Sequence, residues 1–157
     1  MDTQIHRAIA EEAGEIAGLV GELLSEIMAS VNAVSFNFDL AATADRLKDF
    51  LHQGKYVVFV ARDAGTAAIG FVTVYESYAL YAEGVFGTLA ELYVRPGFRS
   101  HHIGSGLLAQ VRQYALSSNW TRLEVTTPPL PQFDKTLRFY ERSGFVVTGG
   151  RKLKLVL

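Results

Sequence analysis

The stretch "GTLAELYVRPGFRSHHIGSGLLAQV" constrains the fold of this chain most. Its first eight residues, Gly87 to Val94, read as a strand that stops at Pro96. From about Ile103 to Ser118 the apolar positions Ile103, Leu107, Leu108, Val111 and Ala115 repeat at helical spacing. A strand that turns through a loop into a helix exposes free backbone N–H groups at the helix start. With the helix dipole these form an anion site. Gly104 and Gly106 stand in that first turn, although a glycine costs a helix about 1 kcal/mol relative to alanine. Two readings account for them. Without a Cβ they let a phosphate approach the backbone closely; alternatively they serve unusual dihedrals and a close helix contact. Arg99 adds a forked cationic donor suited to phosphate, and Ser100 and Ser105 add hydroxyls. "HIGSG" is neither a P-loop nor a dinucleotide fingerprint.

Around this segment helices and strands interleave. Gln4 to Ile9 predicts an opening strand, and Ile16, Leu19, Val20, Leu23, Leu24, Ile27 and Met28 predict a helix between Ala10 and Ser30. Asp39 is placed to N-cap a second helix carrying Leu40, Leu47, Phe50 and Leu51 towards Gly54. "KYVVFVA" and "AIGFVTVYESYAL" read as strands joined by the turn "RDAGTA". "TRLEVTT" is another strand, halted by Pro128 and Pro129. "DKTLRFYERS" is a short helix ending at Gly144, and "FVVTGGRKLKLVL" predicts a last hairpin. The expectation is one α/β (α+β) domain over residues 1–157, with a mixed sheet of six to seven strands and about four helices.

Composition narrows the function classes. Cysteine is absent, which removes disulfides, thiolate metal sites and a cysteine nucleophile. Fifteen basic and sixteen acidic side chains nearly cancel, so no broad grip on nucleic acid or anionic lipid is expected. The acidic, mixed start "MDTQIHRAIAEEAGE" is unlike a signal peptide, and no apolar run nears the ~20 residues of a membrane span. A cytoplasmic domain is the expectation. His101 and His102 are adjacent, and no Cys or carboxylate cluster accompanies them, so no metal site is expected.

"AELYVRPGFRSHHIGSGLL" resembles the acyl-CoA-binding segment of the GNAT superfamily of N-acetyltransferases, in which a strand ending L-x-V-x-P-x-x-R leads into an R/Q-x-x-G-x-G/A loop. Arg99, Gly104, Leu107 and Leu108 carry the match. "LRFYERSGF" is similar to the family's second signature, a helix ending F-Y-x-x-x-G-F. The order of elements fits from Gln4 to the tail. Two departures stand out: His102 occupies the place of the loop's first glycine, and Phe133 the place of a common asparagine in the last helix. A histidine forced to positive φ is strained there. Thr126 and Thr127 are candidates to replace the asparagine's contact.

The resemblance implies acetyl transfer from acetyl-CoA, used as a co-substrate, to a primary amine. It implies a cofactor lying along Leu92, Tyr93 and Val94, with the Val94 N–H as oxyanion donor. It places the phosphates at Arg99, Ser100, His101, His102, Ile103, Gly104, Ser105 and Gly106. Glu91 sits among apolar neighbours and is the candidate base, since a carboxylate in a dry cleft acquires a raised pKa. The competing reading is a solvent-facing strand glutamate paired with a lysine. Tyr140 is the candidate acid for the leaving thiolate, or else a structural tyrosine. Phe36, Phe38, Tyr75, Glu76 and Tyr78 offer an aromatic wall with a carboxylate for a small cationic amine, or else core and dimer interface. Acetylation of a protein lysine or N-terminus, and a non-catalytic acyl-CoA sensor, are the alternatives. A homodimer is a further expectation.

Overall fold

In this computed structural model, which describes residues 2–157, the chain divides into two units, Met1–Thr126 and Thr127–Leu157. The first holds a sheet of β1 (Gln4–Arg7), β2 (Val57–Arg62), β3 (Ala68–Ala79), β4 (Gly84–Val94) and β5 (Leu123–Val125), in that spatial order. Each neighbouring pair is antiparallel until the last, where β4 and β5 run parallel. Three helices belong to the same unit: α1 (Ala13–Val31), α2 (Leu40–His52) and α3 (Ile103–Ser117).

β2 is buried from Val57 through Ala61, which explains its unbroken apolar run: helices cover both faces of the sheet. On one face Val58 and Val60, with Phe71 and Tyr93, join Ile16 and Leu19 of α1 and Leu47 of α2. Alternation turns Phe59 to the other face, where its ring meets Tyr114 of α3 edge-on at 6.5 Å. The expected cap of α2 is present, with the Asp39 carboxylate accepting from Ala42 N at 2.8 Å.

The start of α1 is tied to the sheet by charge. Arg62 on β2 reaches Glu12 and Glu15 at 2.7 Å each, and Ala68 N at the head of β3 donates to Glu15 at 3.1 Å. Burial pushes the Glu12 carboxyl up, but Arg62, the Ile9 N–H and His6 outweigh it and hold the group below its ordinary range. Between β3 and β4 the register shifts. Thr73 faces Glu91 while Val74 faces Leu89, so Ala90 is one extra residue, a bulge in β4.

The second unit contains α4 (Asp134–Arg142), followed by Gly144 at φ 101°, as its helix-ending position predicts. The expected hairpin after it is not formed. Residues 145–157 contain no strand, so the sheet has five strands among the described residues, not six to seven. Val146, Val147, Leu153, Leu155 and Leu157 are all exposed, and a two-stranded hairpin that buries no apolar face is marginal in water.

Two glycines test this packing in opposite directions. A Cβ on Gly87 would run into the Trp120 ring and come within 2.8 Å of Leu123 Cδ2, whereas one on Gly18 of α1 would meet nothing within 4 Å. Gly87→Ala is expected to cost about 1–3 kcal/mol in denaturant unfolding and to shift Trp120 fluorescence. Gly18→Ala should instead stabilise by about 0.4–1 kcal/mol.

Candidate active site

The bulge at Ala90 reverses which backbone groups face each edge of β4. Before it, Gly87 N donates towards β5, to Arg122 O at 3.0 Å; just past the strand, Arg95 N donates to Ile69 O on the β3 side at 2.9 Å. Antiparallel alternation then turns Tyr93 towards β3, and the N–H groups of Leu92 and Val94 away from it. On that side β5 pairs only as far as Leu89, so among the described residues Ala90 to Val94 have no strand partner there. Such an edge is a template for an extended polar chain. Tyr93 does not share in it. Its backbone pairs with Phe71, and its ring packs in the α1–α2 core with the hydroxyl 3.2 Å from Glu22. Burial, with Glu22 beside it, pushes that hydroxyl up to about 12.

Glu91 lies at the beginning of this unpaired segment. Thr73, its register partner, donates to Oε1 at 2.9 Å and accepts from Glu91 N at 3.0 Å. The Tyr56 hydroxyl bridges both carboxylate oxygens at 3.3 and 3.4 Å. No lysine, arginine or histidine pairs with Glu91 among the described residues. The lysine-paired surface glutamate is therefore not what the fold produces. Burial raises the Glu91 pKa, and the Thr73 and Tyr56 hydroxyls offset it only in part.

Beside it opens a cleft of about 430 Å³ lined by Phe50, Gly54, Lys55, Tyr56, Tyr75, Glu76 and Tyr78. Tyr56 and Tyr75 stack with centroids 6.0 Å apart and planes 4° apart, and Phe50 tilts against Tyr56 at 5.1 Å. Glu76 accepts from the Tyr78 hydroxyl and, at 2.9 Å, from Trp120 Nε1; these bonds lower its pKa. The structure thus brings together Tyr75, Glu76 and Tyr78. It does not bring Phe36 or Phe38 to the cleft: Phe38 packs down on α1, where a Cβ at Gly21 would be 2.7 Å from its ring, and Phe36 is exposed. Phe50, Tyr56 and Thr73 were not marked as site residues from the sequence. An aromatic at the mouth of "KYVVFVA" was visible, but Thr73 opposite Glu91 depends on a bulged register that no local pattern encodes.

Ser100 and His102 both adopt left-handed backbone, at φ 66° and 62°, so the chain pays at histidine the strain that glycine would relieve. His102 caps α3 without a side-chain bond, which leaves the N–H groups of Ile103, Gly104 and Ser105 without intrahelical acceptors. Gly106 is different. Its N–H closes the first turn on His102 O at 3.0 Å, and a Cβ there would stand 2.7 Å from Ile5 Cδ1 on β1. This glycine serves a close helix contact, the second of the two readings. Arg99 is also engaged: it donates to Val94 O at 2.8 Å and Glu26 at 2.9 Å, and lies over the Tyr93 ring at 5.6 Å. His101 Nδ1 is 2.9 Å from Arg99 O. In the second unit Tyr140 is buried, with the rings of Phe139 and Phe145 each 5.4 Å away, and burial raises its pKa. Among the described residues no group of three or more His, Cys, Asp or Glu is placed to hold a metal.

The family model for the acetyltransferase (GNAT) domain matches residues 54–147, more than half of the chain. No curated protein matches the sequence. Among solved structures, a predicted acetyltransferase from Clostridium acetobutylicum with acetyl-CoA is similar at TM-score 0.78 and 16% identity, covering 99% of this chain and 96% of that one. The aminoglycoside N-acetyltransferase AAC(6')-Iy, in complex with CoA, is similar at TM-score 0.80 and 17% identity, covering 99% and 95%. Glucosamine-6-phosphate N-acetyltransferase from Arabidopsis thaliana is similar at TM-score 0.75 and 14% identity, covering 99% of both chains. This chain belongs to the GNAT acetyltransferases. It is an acetyl-CoA-dependent N-acetyltransferase.

The raised pKa of Glu91 has a consequence for stability. The folded state holds this proton more tightly than the unfolded chain, so stability falls as pH climbs from the ordinary carboxylate range through the folded value. Glu91→Gln keeps an acceptor for Thr73 and removes the charge. Its melting temperature should match the parent at about pH 4 and exceed it at about pH 8; the reverse order would contradict a desolvated Glu91.

Proposed function

We propose that this enzyme acetylates the primary amine of a small cationic molecule held in the Tyr56–Tyr75 cleft, with Glu91 as the base. The observation that carries this reading is a half-buried carboxylate without a cation, at the unpaired end of β4 and one tyrosine away from an aromatic cleft. An amine attacks only after losing its proton, and a carboxylate of raised pKa suits that task near neutral pH. Tyr56, Tyr75 and Phe50 supply ring faces for a cationic ligand, and Glu76 supplies a fixed negative charge. A cleft walled by rings favours a small acceptor over a protein chain. The sugar-amine activities for which two of the structural neighbours are named support the same class.

Acetyl-CoA contributes an activated acetyl thioester. The free N–H groups of Leu92 and Val94 suit an amide-bearing pantetheine arm, and the Val94 N–H is our candidate oxyanion donor. The unpaired N–H groups of Ile103, Gly104 and Ser105, with Ser100, His101 and His102 beside them, suit its phosphates. Arg99 braces this loop against Glu26 and Val94 O. Tyr140 is the candidate for protonating the departing thiolate, on the family resemblance of "LRFYERSGF".

Thermal unfolding with acetyl-CoA, CoA and ATP tests the first half of this reading. Acetyl-CoA and CoA at about 100 times Kd should add about 2.7 kcal/mol of stability, and ATP should add none. With phenethylamine and kanamycin as probe acceptors, Glu91→Gln should lower kcat about 10²–10⁴-fold while acetyl-CoA affinity is kept. A Glu91→Gln enzyme with full kcat overturns the base assignment. Trp120, the single tryptophan, bonds to Glu76 and should report amine binding by fluorescence. Glu76→Gln should raise KM for the amine alone, and an unchanged KM removes the cleft from the acceptor site.

A further inference from the structure

Tyr56 belongs at once to the cleft and to Glu91. Its backbone is anchored where α2 turns into β2, with Lys55 N and Tyr56 N donating to Phe50 O at 2.9 and 3.3 Å. Its ring is held between Phe50 and Tyr75 and forms part of the cleft wall. A ring fixed on both sides leaves the hydroxyl little choice of direction, and it points at the Glu91 carboxylate. Thr73, buried on β3, satisfies Oε1 from the other side. Oε2 therefore has only its share of the Tyr56 bond and keeps open lone pairs.

We infer that Tyr56 is a positioning residue for the reaction: with Thr73 it locks the Glu91 carboxylate so that Oε2 is the oxygen free to take the acceptor's proton. This inference rests on Glu91 being the base. Tyr56 itself stays a phenol, because burial and the neighbouring Glu91 push its own pKa up. The ionisable groups around the pair are few. Tyr75 stacks behind Tyr56, and Lys55 and Glu76 line the cleft. The carboxylates of α1 that face β4, Glu22 and Glu26, are bonded to Arg95 and Arg99. Two neutral hydroxyls are thus what favours the charged form of Glu91 against burial.

The role separates from plain packing because Tyr56→Phe keeps the ring stack and removes only the donor. The direct readout is a carboxyl-carbon NMR titration of the full-length enzyme, with the Glu91 resonance identified by its loss in Glu91→Gln. Tyr56→Phe should move the Glu91 midpoint upward by roughly half to one pH unit, the size of one net hydrogen bond. Thr73→Val should move it in the same direction, and Thr73→Ser, which keeps the hydroxyl, should leave it in place. With phenethylamine as acceptor, the acid limb of kcat/KM should move upward together with the NMR midpoint in Tyr56→Phe. A Glu91 midpoint that Tyr56→Phe leaves unmoved overturns the inference, whatever the variant does to the rate. If Glu91→Gln keeps the full rate and the same acid limb, the reading of Glu91 as base fails and takes the catalytic part of the inference with it. The NMR midpoint still decides separately whether Tyr56 holds the carboxylate.

Discussion

One inserted residue decides what β4 can do. A regular strand would present the same parity of N–H groups to the β5 side along its whole length, so past Leu89 the donors on that side would be those of Glu91 and Tyr93. Ala90 breaks that parity. From Gly87 to Leu89 the strand serves the sheet on both sides, and beyond the bulge Leu92 and Val94 turn their donors to an edge that β5 has already left. Backbone polar groups are obligatory bonding groups. An edge of this kind therefore suits a ligand that is itself an extended chain of amides. The same bulge fixes Glu91 opposite Thr73, so the choice of free backbone donors and the setting of the candidate base share one structural cause.

Charge pairing sets Glu91 apart from the carboxylates that join α1 to the sheet. Glu12 and Glu15 share Arg62, Glu22 takes Arg95 and Glu26 takes Arg99. These pairs join α1 to the sheet and to the loop that follows β4. At Glu12 and Glu15 the Arg62 guanidinium helps hold the carboxyls below their ordinary range, which suits neither to base chemistry near neutral pH. Glu91 has hydroxyls for neighbours instead, and burial dominates its titration. The contrast follows from position. Arg62 comes from the end of β2, and Arg95 and Arg99 from the loop after β4, whereas Glu91 faces strand residues and an aromatic that carry no charge.

The elements were legible because their signals are local. The apolar period of α1 and α3, the Asp39 cap, the unbroken run of β2 and the helix-ending Gly144 each depend on a handful of neighbouring residues. Positive φ at His102 was also foreseeable, since it stands where a glycine is expected. The final hairpin was not, because "FVVTGGRKLKLVL" has strand-like alternation and a glycine turn but buries neither face. Local propensity marks where a strand is permitted; burial decides whether it forms. The two glycines of α3 show the same division, since Gly106 is explained by Ile5, a residue about a hundred positions earlier.

Consecutive positions carried the order of elements as far as α4, the family and the short list of chemistry-bearing residues, because periodicity, caps and motif spacing are local signals. Tertiary structure alone decided which of those residues meet. It drew Tyr75, Glu76 and Tyr78 into a cleft with Phe50 and Tyr56, sent Phe38 to α1, turned Tyr93 into the core and gave Glu91 two hydroxyl partners. Strand register sets those meetings, and a shift of one residue in register turns side chains to the opposite face.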